Sequence, residues 1–295
     1  MLIFTVCTIN QLANACVLGD SIKNQHPNYD FFIGLVDKES NIPATDNLPY
    51  PIVAIDEIEI AVFEAMSKRF TYSELSANCK PIFAQYFIQK STKIAYFDCT
   101  SLVCHSLDFI SQTLDNQDII LVPQLLHAGL HPDEKQILNT GIYHAGFFAL
   151  KNTENTGNFL HWWSNNTQNK GFRDLCKGLN ADQLWLEHVP ALFDKVYLQK
   201  HEGLNIGTWN LPERKLQIID NQYFINNQPL ISMNFVGMKY WKNYKNLLEK
   251  YSYQTIQKIT PTFGLPNPIE KPTQKLIANK IRSINKVFDW ILDKI

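Results

Sequence analysis

The first 37 residues alternate between apolar segments and one helical pattern, and this alternation limits the possible folds more than any other feature. Residues 2–8 and 31–36 form continuous apolar runs, and residues 13–23 between them have the spacing of a helix. A strand, a helix and a strand over so short a length predict a βαβ unit and hence a parallel sheet. Ligands of such sheets bind beyond the carboxyl ends of the strands. Three side chains are therefore candidate nucleotide contacts: Thr8, Asn10 and Asp37.

Further apolar runs extend the α/β pattern along the chain. They predict three more strands, at residues 93–97, 119–122 and 141–150. Helical spacing predicts helices at residues 74–89, 159–164 and 182–188. We therefore expect one α/β domain over residues 1–241 and a helical C-terminal extension over residues 242–295. Four prolines mark a linker within that extension: Pro261, Pro266, Pro268 and Pro272.

The extension ends in an amphipathic pattern. Its apolar residues recur at intervals of three and four: Ile277, Ile281, Ile284, Phe288, Ile291 and Ile295. The segment 271–295 also carries six basic residues against two acidic ones. Two interpretations stay open: a helix that packs on its own domain, and a helix that docks on a membrane surface or a partner.

Composition excludes several classes of function. A net charge of −1 and a pI of about 6.7 provide no field that would attract nucleic acid. No apolar run is long enough to span a membrane, and the apolar N-terminus fits a first strand better than a signal peptide. The six cysteines form no C-x-x-C pair, which favours free buried thiols in a reducing cytoplasm over a zinc site.

Five segments, taken in order, resemble GT-A-type glycosyltransferases, in particular bacterial proteins of glycosyltransferase family eight. The resemblance covers roughly residues 1–241 and implies a GT-A-like (Rossmann-like) nucleotide-sugar-binding domain with a mixed, mostly parallel central sheet. It also implies transfer of a sugar to a saccharide or lipid-linked acceptor. The segments are TVCTINQLANACVLGDSIKNQHPNYDFFIGLVD, ELSANCKP, IAYFDCTSLV, GIYHAGFFAL, and NADQLWLEHVPALF with NIGTWNLPERKL.

The resemblance also suggests roles for individual residues. Asp182 and Gln183 match an Asp-Gln pair beside the anomeric carbon. There a carboxylate is the general base of an inverting enzyme, or either group stabilises an oxocarbenium-like state in a retaining one. Asn205 and Trp209 match a loop over the donor and are expected to serve the acceptor. The expected donor contacts, besides those at the strand ends, are Lys80, Asp98, Thr100, His144 and Gly237.

The metal-binding motifs of the family are altered in this chain. Its Asp-x-Asp turn reads Asp98-Cys99-Thr100 here, and Asn234 stands where a later His is expected. Since Mg²⁺ and Mn²⁺ favour anionic oxygen ligands, we expect no metal cofactor, or only weak stimulation by Mg²⁺ or Mn²⁺. Protein cations would then balance the leaving phosphate, with Lys239 as first choice, followed by Lys80 and Arg214.

Two functions are weighed on this basis. The first is a cytoplasmic glycosyltransferase of surface polysaccharide or lipopolysaccharide synthesis, peripheral at the inner membrane, that takes a UDP-, GDP-, dTDP- or CMP-linked sugar. A CMP-sugar would ease the loss of a metal because less charge develops on its single phosphate. The second is a catalytically inactive nucleotide-sugar-binding protein, against which the retained Asp98 and Asp182 argue. A nucleotidyltransferase would need a Gly-rich loop after the first strand, where the sequence has Cys7-Thr8-Ile9-Asn10.

Overall fold

The computed structural model describes residues 1–42, 48–58, 62–129, 134–219, 222–236 and 242–267. Strands β1 to β14 are, in chain order, Leu2–Cys7, Asp30–Leu35, Ile52–Ala54, Lys93–Phe97, Ser101–Val103, Ile119–Pro123, Tyr143–Lys151, Arg173–Asp174, Leu179–Asn180, Val196–Leu198, Leu216–Ile219, Gln222–Ile225, Gln228–Pro229 and Ser232–Asn234. Helices α1 to α10 are Leu12–Gln25, Phe63–Ser67, Tyr72–Asn78, Lys80–Ile88, Asp108–Asn116, Glu134–Thr140, Glu154–Lys170, Val189–Leu192, Lys242–Glu249 and Tyr253–Ile256.

A seven-stranded sheet organises the described residues, in the order β10-β6-β7-β4-β1-β2-β3. Strand β1 pairs in parallel with both β2 and β4, β2 with β3, and β6 with β10. Strand β7 alone in this sheet runs antiparallel, between β4 and β6. The predicted α/β class and mixed, mostly parallel sheet are therefore confirmed. The N-terminal βαβ unit is β1, α1 and β2.

Both faces of this sheet are buried, which explains why its strands read as continuous apolar runs. Alternate residues of β1 pack on opposite sides: Phe4 and Val6 lie in the core under α4 and α7, whereas Ile3 and Cys7 lie in the core under α1. Burial of each such aromatic or aliphatic side chain contributes about 1.5–3 kcal/mol. The six cysteines are all free thiols, and Cys176 among them is exposed.

The structure refines two predicted helices. Residues 74–89 form two helices rather than one, because the chain breaks at Cys79 and Pro81, which lacks an N–H, lies in the first turn of α4. Lys80 thus becomes the first residue of a helix. Residues Leu184–His188 form a 3₁₀ turn that continues into α8. None of the described helices combines the length and apolar character needed to cross a membrane.

The chain between residues 242 and 267 packs on the rest of the molecule. Tyr244 and Leu248 of α9 lie in a core cluster with Val17 of α1, and Asn14 Nδ2 donates to the Tyr244 hydroxyl at 3.1 Å. Residues 262–267 then run alongside the start of α3, where Leu265 N donates to Phe70 O at 2.8 Å. The boundary expected at residue 242 therefore does not coincide with a break in packing. The amphipathic segment 271–295 lies outside the described residues.

Candidate active site

The centre of the site is Lys80, which lies between two carboxylates. Its Nζ is 3.2 Å from Asp98 Oδ1 and 2.9 Å from Asp182 Oδ2, and it donates to Ala145 O at 3.0 Å. Lys80 is buried at the first residue of α4, where it meets Asp98 at the carboxyl end of β4. The antiparallel β7 brings its own first residues to the same edge of the sheet. Three predicted site residues from distant segments thus meet.

The two carboxylates have different surroundings. Asp98 also accepts hydrogen bonds from the Tyr96 hydroxyl at 2.8 Å and from Asn234 Nδ2 at 2.9 Å. Burial raises the pKa of Asp98, but the Lys80 charge and these donors outweigh it, so the pKa lies below its usual value. At Asp182 burial raises the pKa, the Asp98 charge adds to this, and the opposing contact with Lys80 does not outweigh them. Asp182 is therefore the more basic of the pair.

Lys80 is charged in this arrangement. Burial by itself would lower the pKa of its ammonium, but Asp182 and Asp98 together raise it above the usual value. One ammonium between two carboxylates leaves the buried cluster with a net negative charge when both are ionised. The charge of Lys80 is thus already balanced inside the protein.

The turn after β4 does not suit a divalent cation. Thr100 Oγ1 donates to Asn234 Oδ1 at 3.0 Å, and the Asn234 amide donates to Asp98, so these three side chains satisfy one another. Pairing of β14 with β5 sets this contact by placing Asn234 opposite Ser101. The described residues contain no cluster of three His, Cys, Asp or Glu side chains that could hold a metal. A hydroxyl, an amide and one carboxylate that already faces an ammonium are not the anionic ligand set that Mg²⁺ or Mn²⁺ prefers.

His144 lies beside Asp98 in the site. A Cβ built on Gly146 would lie 2.5 Å from His144 Cε1 and 2.6 Å from Asp98 Oδ2, so the ring and the carboxylate are neighbours. Asn205 Nδ2 lies 3.2 Å from His144 Nδ1, and the Trp209 ring stacks on the imidazole with 3.8 Å between centroids. Asn205 and Trp209, expected on the acceptor side, therefore form one unit with the expected donor contact His144.

Gln183 is tied to the backbone by both ends of its amide. Oε1 accepts from Ala145 N at 3.1 Å, and Nε2 donates to Thr140 O at 2.8 Å. The neighbouring Asp182 has its carbonyl held by Trp163 Nε1 at 2.9 Å, which leaves only its carboxylate for other partners. Of the expected catalytic pair, Asp182 therefore has the side chain suited to chemistry, and Gln183 positions it against β7.

The predicted nucleotide contacts beyond β1 and beyond β2 differ in burial and in hydrogen-bond partners. Thr8 and Asn10 lie beyond β1, where Thr8 Oγ1 donates to Asn10 Oδ1 at 2.6 Å. Asp37 lies beyond β2 but is fully buried. Its carboxylate accepts from Lys38 N, Asn41 Nδ2 and Thr262 N at 2.8–3.0 Å. The prediction for Asp37 is corrected, because its oxygens are occupied by the chain itself.

Arg214 is a second correction. It is 3% exposed and forms ion pairs with Glu202 and Glu213, so it cannot balance a leaving phosphate. Glu213 in turn accepts from Leu126 N and His127 N at 2.9–3.1 Å, which fixes the loop after β6. Gly237 and Lys239 lie outside the described residues, and their roles remain predictions.

Sequence reasoning missed Tyr96 and Gly146. Tyr96 precedes Asp98 by two residues, so the strand places both on one face, and its ring also lies 5.0 Å from Lys80 Nζ. That spacing is the signal that could have identified it. Gly146 carries no functional group, and only the close approach of His144 and Asp98 reveals why a side chain is excluded there.

Comparisons with known proteins agree with this architecture. No protein-family model matches the sequence. Over 259 residues the chain is 20% identical to the uncharacterized protein YfnF of Bacillus subtilis (strain 168), with 80% of each protein covered. The fold is similar to that of the galactosyltransferase LgtC in complex with donor and acceptor sugar analogs, with a TM-score of 0.52 and 16% identity over 89% of this chain and 98% of that one. The described residues have the fold of GT-A-type glycosyltransferases.

Proposed function

We propose that this protein is a glycosyltransferase that moves a sugar from a nucleotide-sugar donor to a saccharide acceptor. The observation that carries the proposal is the Lys80 cluster, where two carboxylates of unequal basicity, one buried and one partly exposed, meet one ammonium at the carboxyl edge of the sheet. That edge is where ligands of such sheets bind. The similarity to LgtC, which was crystallised with donor and acceptor sugar analogs, supports the same type of substrates.

The two carboxylates suit different tasks. Asp98 keeps its charge through its hydrogen bonds, so it is fitted to accept hydrogen bonds from hydroxyls of the donor. Asp182, the more basic group, is fitted to accept the proton of an attacking hydroxyl if the reaction inverts the anomeric centre. In a retaining reaction it would stabilise the positive charge of the sugar instead. NMR assignment of the anomeric configuration of the product distinguishes the two.

We further propose that transfer is independent of a divalent metal or only weakly stimulated by one. The mutual pairing of Asp98, Thr100 and Asn234 supports this proposal. The charge of Lys80 is balanced by the carboxylates, and Arg214 is balanced by glutamates, so the developing negative charge of the leaving group requires another cation. Lys239 is the residue we assign to this task, following the sequence resemblance.

A thermal-shift and turnover panel tests these proposals. The panel contains UDP-glucose, UDP-galactose, GDP-mannose, dTDP-glucose and a CMP-linked sialic acid, each with EDTA and with Mn²⁺. We expect at least one donor to stabilise the protein and to be slowly hydrolysed in both conditions. Binding without hydrolysis or transfer would indicate the inactive nucleotide-sugar-binding protein instead. Activity that EDTA abolishes and Mn²⁺ restores would contradict metal independence.

The cellular role is proposed on sequence grounds. Synthesis of a surface polysaccharide or lipopolysaccharide would use a lipid-linked acceptor at the cytoplasmic face of the inner membrane, and the basic amphipathic segment 271–295 would bring the enzyme there. If this role is right, the protein should bind anionic vesicles, and added salt should weaken that binding. Deletion of residues 271–295 should abolish it. Equal vesicle binding of the deletion variant would contradict it.

A further inference from the structure

A short hairpin leads directly into Asp182. Its two strands, β8 and β9, pair in antiparallel fashion and place Arg173 opposite Asn180, two residues before Asp182. The hairpin is also tied to the start of α3, because the buried carboxylate of Glu74 accepts a hydrogen bond from Arg173 N at 2.7 Å. The backbone of Arg173 is therefore held in a fixed position next to the segment that carries Asp182.

The Arg173 side chain lies on the face of the hairpin that is turned towards the site. Residues directly opposite each other in an antiparallel pair have their side chains on the same face, so Arg173 shares a face with Asn180. Asn180 Nδ2 donates at 2.7 Å to Thr140 O, the carbonyl to which Gln183 Nε2 also donates. This face of the hairpin therefore meets the chain just before β7, next to Gln183 and its neighbour Asp182.

Arg173 is an exposed cation whose guanidinium has no partner in the described part of the chain. Lys177 on the same hairpin, by contrast, lies 3.0 Å from Asp174 Oδ2. Burial raises the pKa of Asp182, and Arg173 opposes this rise together with Lys80. Since the charge of Lys80 is already balanced by carboxylates, Arg173 is a cation beside Asp182 that is free to bind an anion from outside the protein.

We infer that Arg173 binds a negatively charged group of the acceptor, either a carboxylate of a saccharide or a phosphate attached to one. A guanidinium has a planar fork of N–H donors that matches both groups. The proposed donor contacts Asp98 and His144 are neighbours, and Lys80 lies between Asp98 and Asp182. An anion at Arg173 therefore lies on the Asp182 side of the cluster, where the attacking hydroxyl is expected. This inference rests on the proposed glycosyltransferase function.

NMR titrations with small saccharides test the anion site without any turnover. The probes are methyl β-glucoside, which is neutral, methyl β-glucuronide, which carries a carboxylate at C6, and glucose 6-phosphate. We expect at least one anionic probe to bind about threefold to tenfold more tightly than the glucoside, and R173Q to remove this advantage. The probe that is preferred identifies the anionic group as a carboxylate or a phosphate.

K177Q is the matched control, because it removes a cation that is exposed on the same hairpin but paired with Asp174. This variant should bind the probes like the wild type. R173Q should unfold like the wild type, because the replaced side chain is exposed and has no partner in the described residues. Equal affinity of the wild type for all three probes, no binding of either anionic probe, or unchanged binding in R173Q would overturn the inference.

Kinetics with the first donor of the panel that the protein turns over show which substrate carries the anion. Hydrolysis of the donor by R173Q should have the kcat and KM of the wild type. Transfer to the preferred anionic saccharide should lose about threefold to tenfold in kcat/KM in R173Q, and R173K should recover part of this loss. A raised KM for the donor in R173Q, with no change for anionic acceptors, would assign Arg173 to the phosphates of the donor and overturn the inference.

The outcomes separate the inference from the function on which it rests. If the wild type turns over a donor and R173Q matches it with every acceptor, the inference fails and the proposed function stands. If no donor is bound or turned over, the proposed function fails and the assignment to an acceptor fails with it. The titrations then still decide whether Arg173 binds an anion.

Discussion

Asp37 and Asp98 follow β2 and β4, the two strands that flank β1 in one sheet, and they have opposite surroundings. Asp37 is fully buried and accepts only from neutral N–H groups of the chain. Asp98 keeps a side chain that is 22% exposed, faces an ammonium, and is next to a second carboxylate. A carboxylate at a strand end is thus free to bind a ligand only where the hydrogen-bond donors of the protein do not already occupy its oxygens. Where they do, as at Asp37, the carboxylate holds loop segments together instead.

The strongest test of this contrast is to remove the ammonium. In K80M the buried Asp182 and the half-buried Asp98 lose their cation, so we expect the free energy of unfolding at pH 7 to fall by about 3–5 kcal/mol. Activity should be lost, and part of the stability should return as the pH falls and the carboxylates become protonated. Urea unfolding at several pH values measures this. K38M, next to Asp37 but on the exposed surface, is the matched control and should unfold like the wild type.

Isosteric amides at the two aspartates should separate activity from stability. D98N weakens charged hydrogen bonds to the donor, so kcat/KM should fall about tenfold to a hundredfold. D37N turns one acceptor into a donor that faces chain N–H groups, which should cost about 1–3 kcal/mol of unfolding free energy. The catalytic constants of folded D37N should match those of the wild type. Comparable losses of kcat/KM in both variants would show that Asp37 and Asp98 do not differ in function.

Substitution of Gly146 tests how tightly His144 and Asp98 pack around this glycine. An Ala Cβ would collide with His144 and Asp98, so G146A should lower the free energy of unfolding by about 1–3 kcal/mol and reduce donor binding. Gly157 of α7 has nothing within 4 Å of an added Cβ, so G157A should be neutral or stabilise by about 0.4–1 kcal/mol. A G146A variant as stable and active as G157A would show that the two side chains can move apart.

The smallest effect on the free energy of unfolding is expected at Asp182. Its pKa is raised in the folded state, so its ionisation costs stability at neutral pH, and that cost disappears below the ordinary pKa of 3.8. D182N should therefore be slightly more stable than the wild type at pH 7, with the difference shrinking as the pH falls towards 4. Its activity should nevertheless be lost. Thermal unfolding of both proteins across this pH range measures the difference. A D182N variant less stable than the wild type at pH 7 would show instead that Lys80 needs Asp182 to keep its charge.

The sequence predicts the sheet better than it predicts the use of strand ends. The apolar runs locate β1, β2, β4, β6 and β7 because strands buried on both faces need continuous apolar residues. The meeting of Lys80, Asp98 and Asp182 could be expected from the family resemblance but not from spacing. Asp37 is occupied in part by the backbone N–H of Thr262, 225 residues away, and Arg214 is occupied by two glutamates. Such long-range polar contacts leave no periodic trace in a sequence.

The pairing of residues 262–267 with the start of α3 has a consequence for the order of synthesis. Tyr72 N donates to Leu265 O at 2.8 Å and Ser73 N to Asn267 Oδ1 at 3.0 Å, so two amides at the N-terminus of α3 are satisfied by residues made almost two hundred positions later. A ribosome-bound chain that has released only its first 250 residues has the whole sheet but lacks these partners. The N-terminus of α3 therefore gains these two hydrogen bonds only after residues 262–267 have been made.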